Sequence, residues 1–194
     1  MSERSDSKTR TEIRLAGEGG QGMILAGIIL AEAAAIYDGR QVVQSQSYGP
    51  EARGGASKSE IIISDQVIDY PEVIEADVLV ALSQEAFDKY GLGLNKDGLV
   101  IVDTTLVTPV QGLKAVKLPI TKIALETTGR GITANTVALG VLVRLTGVVS
   151  QEAIQSAIHA RAPKGTKEMN QAALEAGFRA AQTIISEREG DPTG

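Results

Sequence analysis

Three short apolar runs constrain the fold more than any other feature: Ile61-Ile62-Ile63, DVLVAL at 77–82 and LVIV at 99–102. None alternates with polar residues as a half-solvated strand does, so each is expected to be covered on both faces. Strands of that kind pair parallel inside a sheet, with helices as crossovers. Strands are also expected at Ile13–Ala16, Gln41–Gln46 and Ala115–Leu118, with a turn-rich segment at 47–59 ahead of a strand at Glu60–Ser64. The helices follow from apolar periodicity and capping residues. Met23–Tyr37 carries Met, Ile, Leu and Ala at nearly every position and stops at Asp38-Gly39. A helix starts at Pro119 and runs to Glu126. Three more run from Ala134 to Thr146 behind a Thr133 cap, from Ser150 to Arg161 and from Thr166 to Glu187, with Gly147 and Gly190 as stops. The expected fold is α/β and three-layered, a mostly parallel sheet with helices on both faces, opening on a Rossmann-like βαβ unit. One domain spans 12–187, between tails at 1–11 and 188–194, and no internal repeat is visible.

Composition removes several functions. The chain has no cysteine, which excludes disulfides, thiolate nucleophiles and cysteine-ligated clusters from this polypeptide. A net charge of −5 and 3% aromatic residues offer neither a basic face nor a stacking platform for nucleic acid. The longest apolar stretch, Met23–Ala31, falls short of a membrane span. The polar start MSERSDSKTRTE has no signal-peptide pattern, so a cytoplasmic address is expected.

The first strand runs into Gly17-Glu18-Gly19-Gly20-Gln21-Gly22, and a helix follows at once. Gly17, Gly19 and Gly22 fit G-x-G-x-x-G in the strand–turn–helix context where backbone amides can meet an anion. Against a dinucleotide site, the loop's one charge is Glu18, and the second strand ends in Gln44-Ser45-Gln46 with no acid to hold a ribose. A nucleotide-like anion, a neighbouring chain and simple close packing of strand on helix all remain open.

Two further segments place an arginine among glycines. In Tyr48-Gly49-Pro50-Glu51-Ala52-Arg53-Gly54-Gly55, the guanidinium suits a carboxylate or phosphate, with a salt bridge to Glu51 or Glu60 as the plainer reading. Gly129-Arg130-Gly131 precedes Asn135, whose amide can cap a helix or bond a ligand. The single histidine, His159, is read as a helix-surface residue, and Asp103 as a turn or cap.

Four stretches in order carry a resemblance: GEGGQG (17–22) leading into LAGIILAEAAA, SYGPEARGGASKSEIIIS, DVLVALSQEAFDKY, and ITANTVALGVL with EMNQAALEAGF. Together they resemble the gamma subunit of the 2-oxoacid:ferredoxin oxidoreductases over residues 12–186, most closely the 2-oxoglutarate branch. Pyruvate, 2-oxoisovalerate and indolepyruvate relatives share the scaffold. The resemblance implies a non-redox subunit with no catalytic or metal residue of its own, which helps to bind coenzyme A. Gly19, Gly20, Gln21, Gly22, Arg53, Gly54, Gly55 and Asn135 would contact that ligand. Thiamine diphosphate, magnesium and iron-sulfur clusters would lie on partner subunits. The implied partners are alpha, beta and delta subunits, ferredoxin through the complex, and a second copy of the chain when isolated.

Overall fold

The computed structural model describes residues 10–49, 55–108 and 114–190. In chain order it runs β1 (Arg10–Glu18), α1 (Met23–Glu32) ending in a π-helical turn (Ala33–Tyr37), β2 (Gln41–Tyr48) and β3 (Ala56–Ser64). Then come β4 (Ala76–Ala81), α2 (Gln84–Tyr90), β5 (Leu94–Asp103), β6 (Ala115–Leu118) and α3 (Ile120–Thr128). A 3₁₀ turn (Gly131–Thr133) leads into α4 (Ala134–Thr146), followed by α5 (Gln151–Arg161) and α6 (Lys167–Gly190).

The six strands lie in the order β2-β3-β1-β4-β5-β6. The β1–β4, β4–β5 and β5–β6 ladders are parallel, and β3 runs antiparallel to both β1 and β2. The opening βαβ unit is therefore present in split form: β2 is parallel to β1, but β3 is inserted between them. Strand ends differ from the sequence reading for the same reason. β1 begins at Arg10, inside the expected tail, because Arg10 pairs with Ser64. β3 begins at Ala56, inside the expected turn segment, because it pairs with Glu18 on one side while Ser57 pairs with Tyr48 on the other. Ladder pairing supplied what local composition lacked.

The two sheet faces are covered unequally. Ile13, Leu15, Ile61, Ile63, Val78, Val80, Ile101 and Val116 form one continuous core with buried residues of α1, α3, α4, α5 and α6. On the other face Ala16, Leu79, Ala81, Val100 and Val102 pack with Ala86 and Phe87 of α2. There Arg14, only 6% exposed, pairs with Glu60 at 2.8 Å and donates to the carbonyls of Tyr90 and Leu92. Its charge thus meets the negative end of α2. The central helices α4 and α6 cross at Gly140 and Gly177. A Cβ on Gly177 would lie 2.2 Å from the Val137 carbonyl oxygen and 2.9 Å from the Gly140 Cα. Only hydrogen fits at this crossing.

The predicted caps divide. Ser150 accepts from the Ala153 amide at 3.1 Å, as expected, and Gly147 closes α4 with φ of 61°. Thr133 stands at the N-cap position of α4 but makes no side-chain cap bond: it closes the 3₁₀ turn, and its hydroxyl donates to the Arg130 carbonyl. No helix of the described residues is long and apolar enough to cross a membrane.

Candidate functional site

The glycine loop lies at the carboxyl end of β1, between the start of β3 and the end of β4. That is the side of an open α/β sheet where ligands gather. Each glycine there answers a different steric demand. A Cβ on Gly17 would lie 2.7 Å from both Gln21 Oε1 and Met23 Cγ, so its absence lets the Gln21 side chain fold beneath the turn. Gly20 and Gly22 have φ of 97° and 74°, a region open to glycine at little cost. A Cβ on Gly22 would meet Asn135 Nδ2 at 2.5 Å, whereas one on Gly20 would meet nothing within 4 Å. Gly20 is the open position.

Gln21 and Asn135 hold this turn from beneath. Gln21 accepts from the Glu18 amide at 2.7 Å and donates to the Leu82 carbonyl at 3.0 Å, tying β1 to β4. Asn135, 7% exposed at the start of α4, donates to the Gly22 carbonyl at 3.2 Å and accepts from the Thr136 amide at 2.8 Å. Both side-chain amides are thus engaged within the chain. The sequence pointed to them as polar groups for a ligand; the structure gives them neighbours that position the loop.

Main-chain groups are left over. The Gly19 amide donates to the Gly55 carbonyl at 3.1 Å and the Gln21 amide to the Glu18 carbonyl at 3.0 Å. Helix α1 then starts with no side-chain cap and no acidic residue in its first turn. The amides of Gly20, Gly22, Met23, Ile24 and Leu25 have no acceptor among the described residues, and they sit where a helix favours negative charge.

The Gly19–Gly55 bond also ties Gly55, just ahead of β3, to this corner. Ala56, the next residue, is held by its amide to Glu85 and by its carbonyl to the Tyr90 hydroxyl. Gly55 and Ala56 are therefore fixed beside the turn. Arg53 and Gly54 lie outside the described residues. One plainer role for Arg53 has a competitor: Glu60 already carries ion pairs of 2.8 Å to both Arg14 and Lys58.

Residues set aside on the sequence find structural work. Asp103, fully buried, accepts from the Thr105 amide at 3.0 Å and from the Thr121 amide at 3.1 Å, joining a turn to the start of α3. His159 is not a plain surface residue, since its Nε2 is enclosed with no partner beside Lys167, Glu168 and Gln171, between α5 and α6. Arg14 was missed entirely, because an arginine inside an apolar strand gives no local sign of the carbonyls it will meet. No three His, Asp or Glu side chains cluster as a metal site among the described residues.

The family model described as "Pyruvate ferredoxin/flavodoxin oxidoreductase" matches residues 12–180. The chain belongs to this family. It is 52% identical over 181 residues to the 2-oxoglutarate synthase subunit KorC of Methanocaldococcus jannaschii, covering 91% of this chain and 97% of that one. The same-named subunit of Methanothermobacter thermautotrophicus is 47% identical, covering 88% and 94%. Among solved structures, the gamma subunit of a keto/oxoacid ferredoxin oxidoreductase from Geobacter sulfurreducens matches with a TM-score of 0.83 at 50% identity, covering 91% and 98%. The 2-oxoglutarate:ferredoxin oxidoreductase of Magnetococcus marinus, solved with 2-oxoglutarate, coenzyme A and succinyl-CoA bound, has a TM-score of 0.82 at 23% identity, covering 91% of this chain and 32% of that one. At that identity the likeness is one of fold.

Proposed function

We propose that this chain is the gamma subunit of a 2-oxoglutarate:ferredoxin oxidoreductase, and that its β1–α1 corner faces coenzyme A. The complex converts 2-oxoglutarate and coenzyme A to succinyl-CoA and carbon dioxide while reducing ferredoxin. The observation that carries the corner's role is a set of main-chain amides without an acceptor among the described residues, at an uncapped helix start tied to Gly55 by the Gly19 amide. Such a surface recognises the phosphates of a nucleotide. The bound molecules of the Magnetococcus enzyme agree with that ligand class.

The choice of 2-oxoacid rests on graded similarity. Relatives named for 2-oxoglutarate are 41–52% identical, against 35–38% for those named for ketoisovalerate or pyruvate. A dinucleotide reading is disfavoured by topology: β3 occupies the place beside β1 where a Rossmann unit keeps the second strand and its ribose-binding acid.

In this reading the chain has no catalytic residue. Thiamine diphosphate with magnesium and the iron-sulfur clusters belong to partner alpha, beta and delta subunits, and supply decarboxylation and electron transfer to ferredoxin. This chain's Gly19, Gly20, Gly22, Arg53, Gly54 and Gly55 line the coenzyme A approach, while Gln21 and Asn135 hold the turn in place. In the assembled complex, Arg53→Ala is expected to raise the KM for coenzyme A at least tenfold, from loss of about 1.5–3 kcal/mol of charge-assisted bonding. The KM for 2-oxoglutarate stays within about twofold, because uniform binding of one substrate is all that is lost. An unchanged coenzyme A dependence contradicts the assignment.

A further inference from the structure

The two edges of the sheet are built differently. β6 has four residues, carries Lys117, and borders a cleft lined by Lys96, Lys114 and Arg188. Shortness and lysine are the usual guards against edge-to-edge pairing. β2 has eight residues and none of these guards: its sequence QVVQSQSY holds no charge and no proline. It pairs with β3 residue for residue from Gln41–Ser64 to Tyr48–Ser57 without a bulge. Its outer side meets no strand among the described residues. The π-helical turn packs against β2 and leaves Ile36 66% and Tyr37 44% exposed, and Tyr48 at the strand's far end is 66% exposed. An unguarded backbone edge thus has apolar flanks.

We propose that β2 is a homotypic interface, through which two copies of this chain join by antiparallel β2–β2 pairing about a twofold axis perpendicular to the sheet at Ser45. The partner is a second copy because the strand is complementary to itself. About Ser45, Val42 faces Tyr48 of the other copy, Val43 faces Ser47, and Gln44 faces Gln46. The first is an aromatic with β-branched pair and the last an amide pair, both of favourable types across strands. The edge has no charge for an acidic or basic partner strand to recognise, and none to repel its own copy. The interface lies on the far side of β3 from the glycine corner, so it is independent of the coenzyme A reading.

The test uses the full chain, alone and in its complex. The sequence lacks cysteine, so a single introduced thiol reports one contact. Ser45→Cys is expected to form a disulfide-linked dimer of two gamma chains under mild oxidation, since opposed Cβ atoms across a strand pair lie about 5 Å apart. Lys117→Cys on β6 gives none. In sedimentation equilibrium the unmodified chain is a dimer, and Gln46→Lys weakens it at least tenfold while the far-ultraviolet circular dichroism spectrum stays that of the folded chain. A monomer at all concentrations, a dimer indifferent to Gln46→Lys, or a Ser45→Cys chain that links only to a different subunit overturns the proposal.

Discussion

Glycine does opposite work in two regions of this molecule. At the α4–α6 crossing, Gly140 and Gly177 remove side chains so that two buried helices touch backbone to backbone. At the β1–α1 corner, a Cβ on Gly20 would meet nothing among the described residues, and its neighbours leave main-chain amides without partners among them. Gly22 stands between these cases, needing both its positive φ and the room taken by Asn135. Spacing alone does not separate these roles. What separates them is the atom a Cβ would meet: a carbonyl oxygen in the core, a loop-bracing amide at Gly22, and nothing at Gly20.

Substitutions at the three positions should rank in that order. Gly177→Val should do most damage. The crossing has no volume to give, and overpacking of this kind costs about 3 kcal/mol or more, a fall in thermal midpoint of about 10 °C on calorimetry. A midpoint within 2 °C of the parent, roughly 0.5 kcal/mol, would erase the distinction between core and corner. Gly22→Ala comes next, at about 2 kcal/mol, because the backbone strain adds to displacement of the Asn135 amide. Removing the amide first, in Asn135→Ala, should relieve part of that cost, which a double-mutant cycle by denaturant unfolding measures. Gly20→Ala should cost only about 1 kcal/mol, the strain of its positive φ, since its methyl group meets nothing. If the corner faces a ligand, this mildest variant still raises the KM for coenzyme A more than does Gly177→Ala in the surviving folded fraction.

Much of the fold was legible in the sequence because its apolar runs, though short, are unbroken. The triplet Ile61-Ile62-Ile63 and DVLVAL have no other place than the sheet interior. The antiparallel insertion of β3 was not legible. Its first half, Ala56-Ser57-Lys58-Ser59, reads as turn and becomes strand only through ladder bonds to residues some forty positions earlier in the chain. At the site, the strand–turn–helix context of the glycine loop was legible, and β1 and α1 flank it as read. The family resemblance implied coenzyme A contacts for Gln21 and Asn135; what it could not show is that each also forms intramolecular bonds to residues whose proximity only the fold creates. Gly27 shows the same limit. A glycine inside a helix looks like a weakness, but its missing Cβ would lie 2.1 Å from Ser59 Oγ, and this lets α1 settle on β3.

The proposed function depends on exposed main-chain amides at the β1–α1 corner receiving coenzyme A. Hydrogen–deuterium exchange on the assembled complex measures those amides directly. With coenzyme A added, peptides covering residues 18–26 should slow in exchange, while peptides across the α4–α6 crossing stay unchanged. Protection elsewhere in the complex with no change at residues 18–26 would place coenzyme A away from this corner.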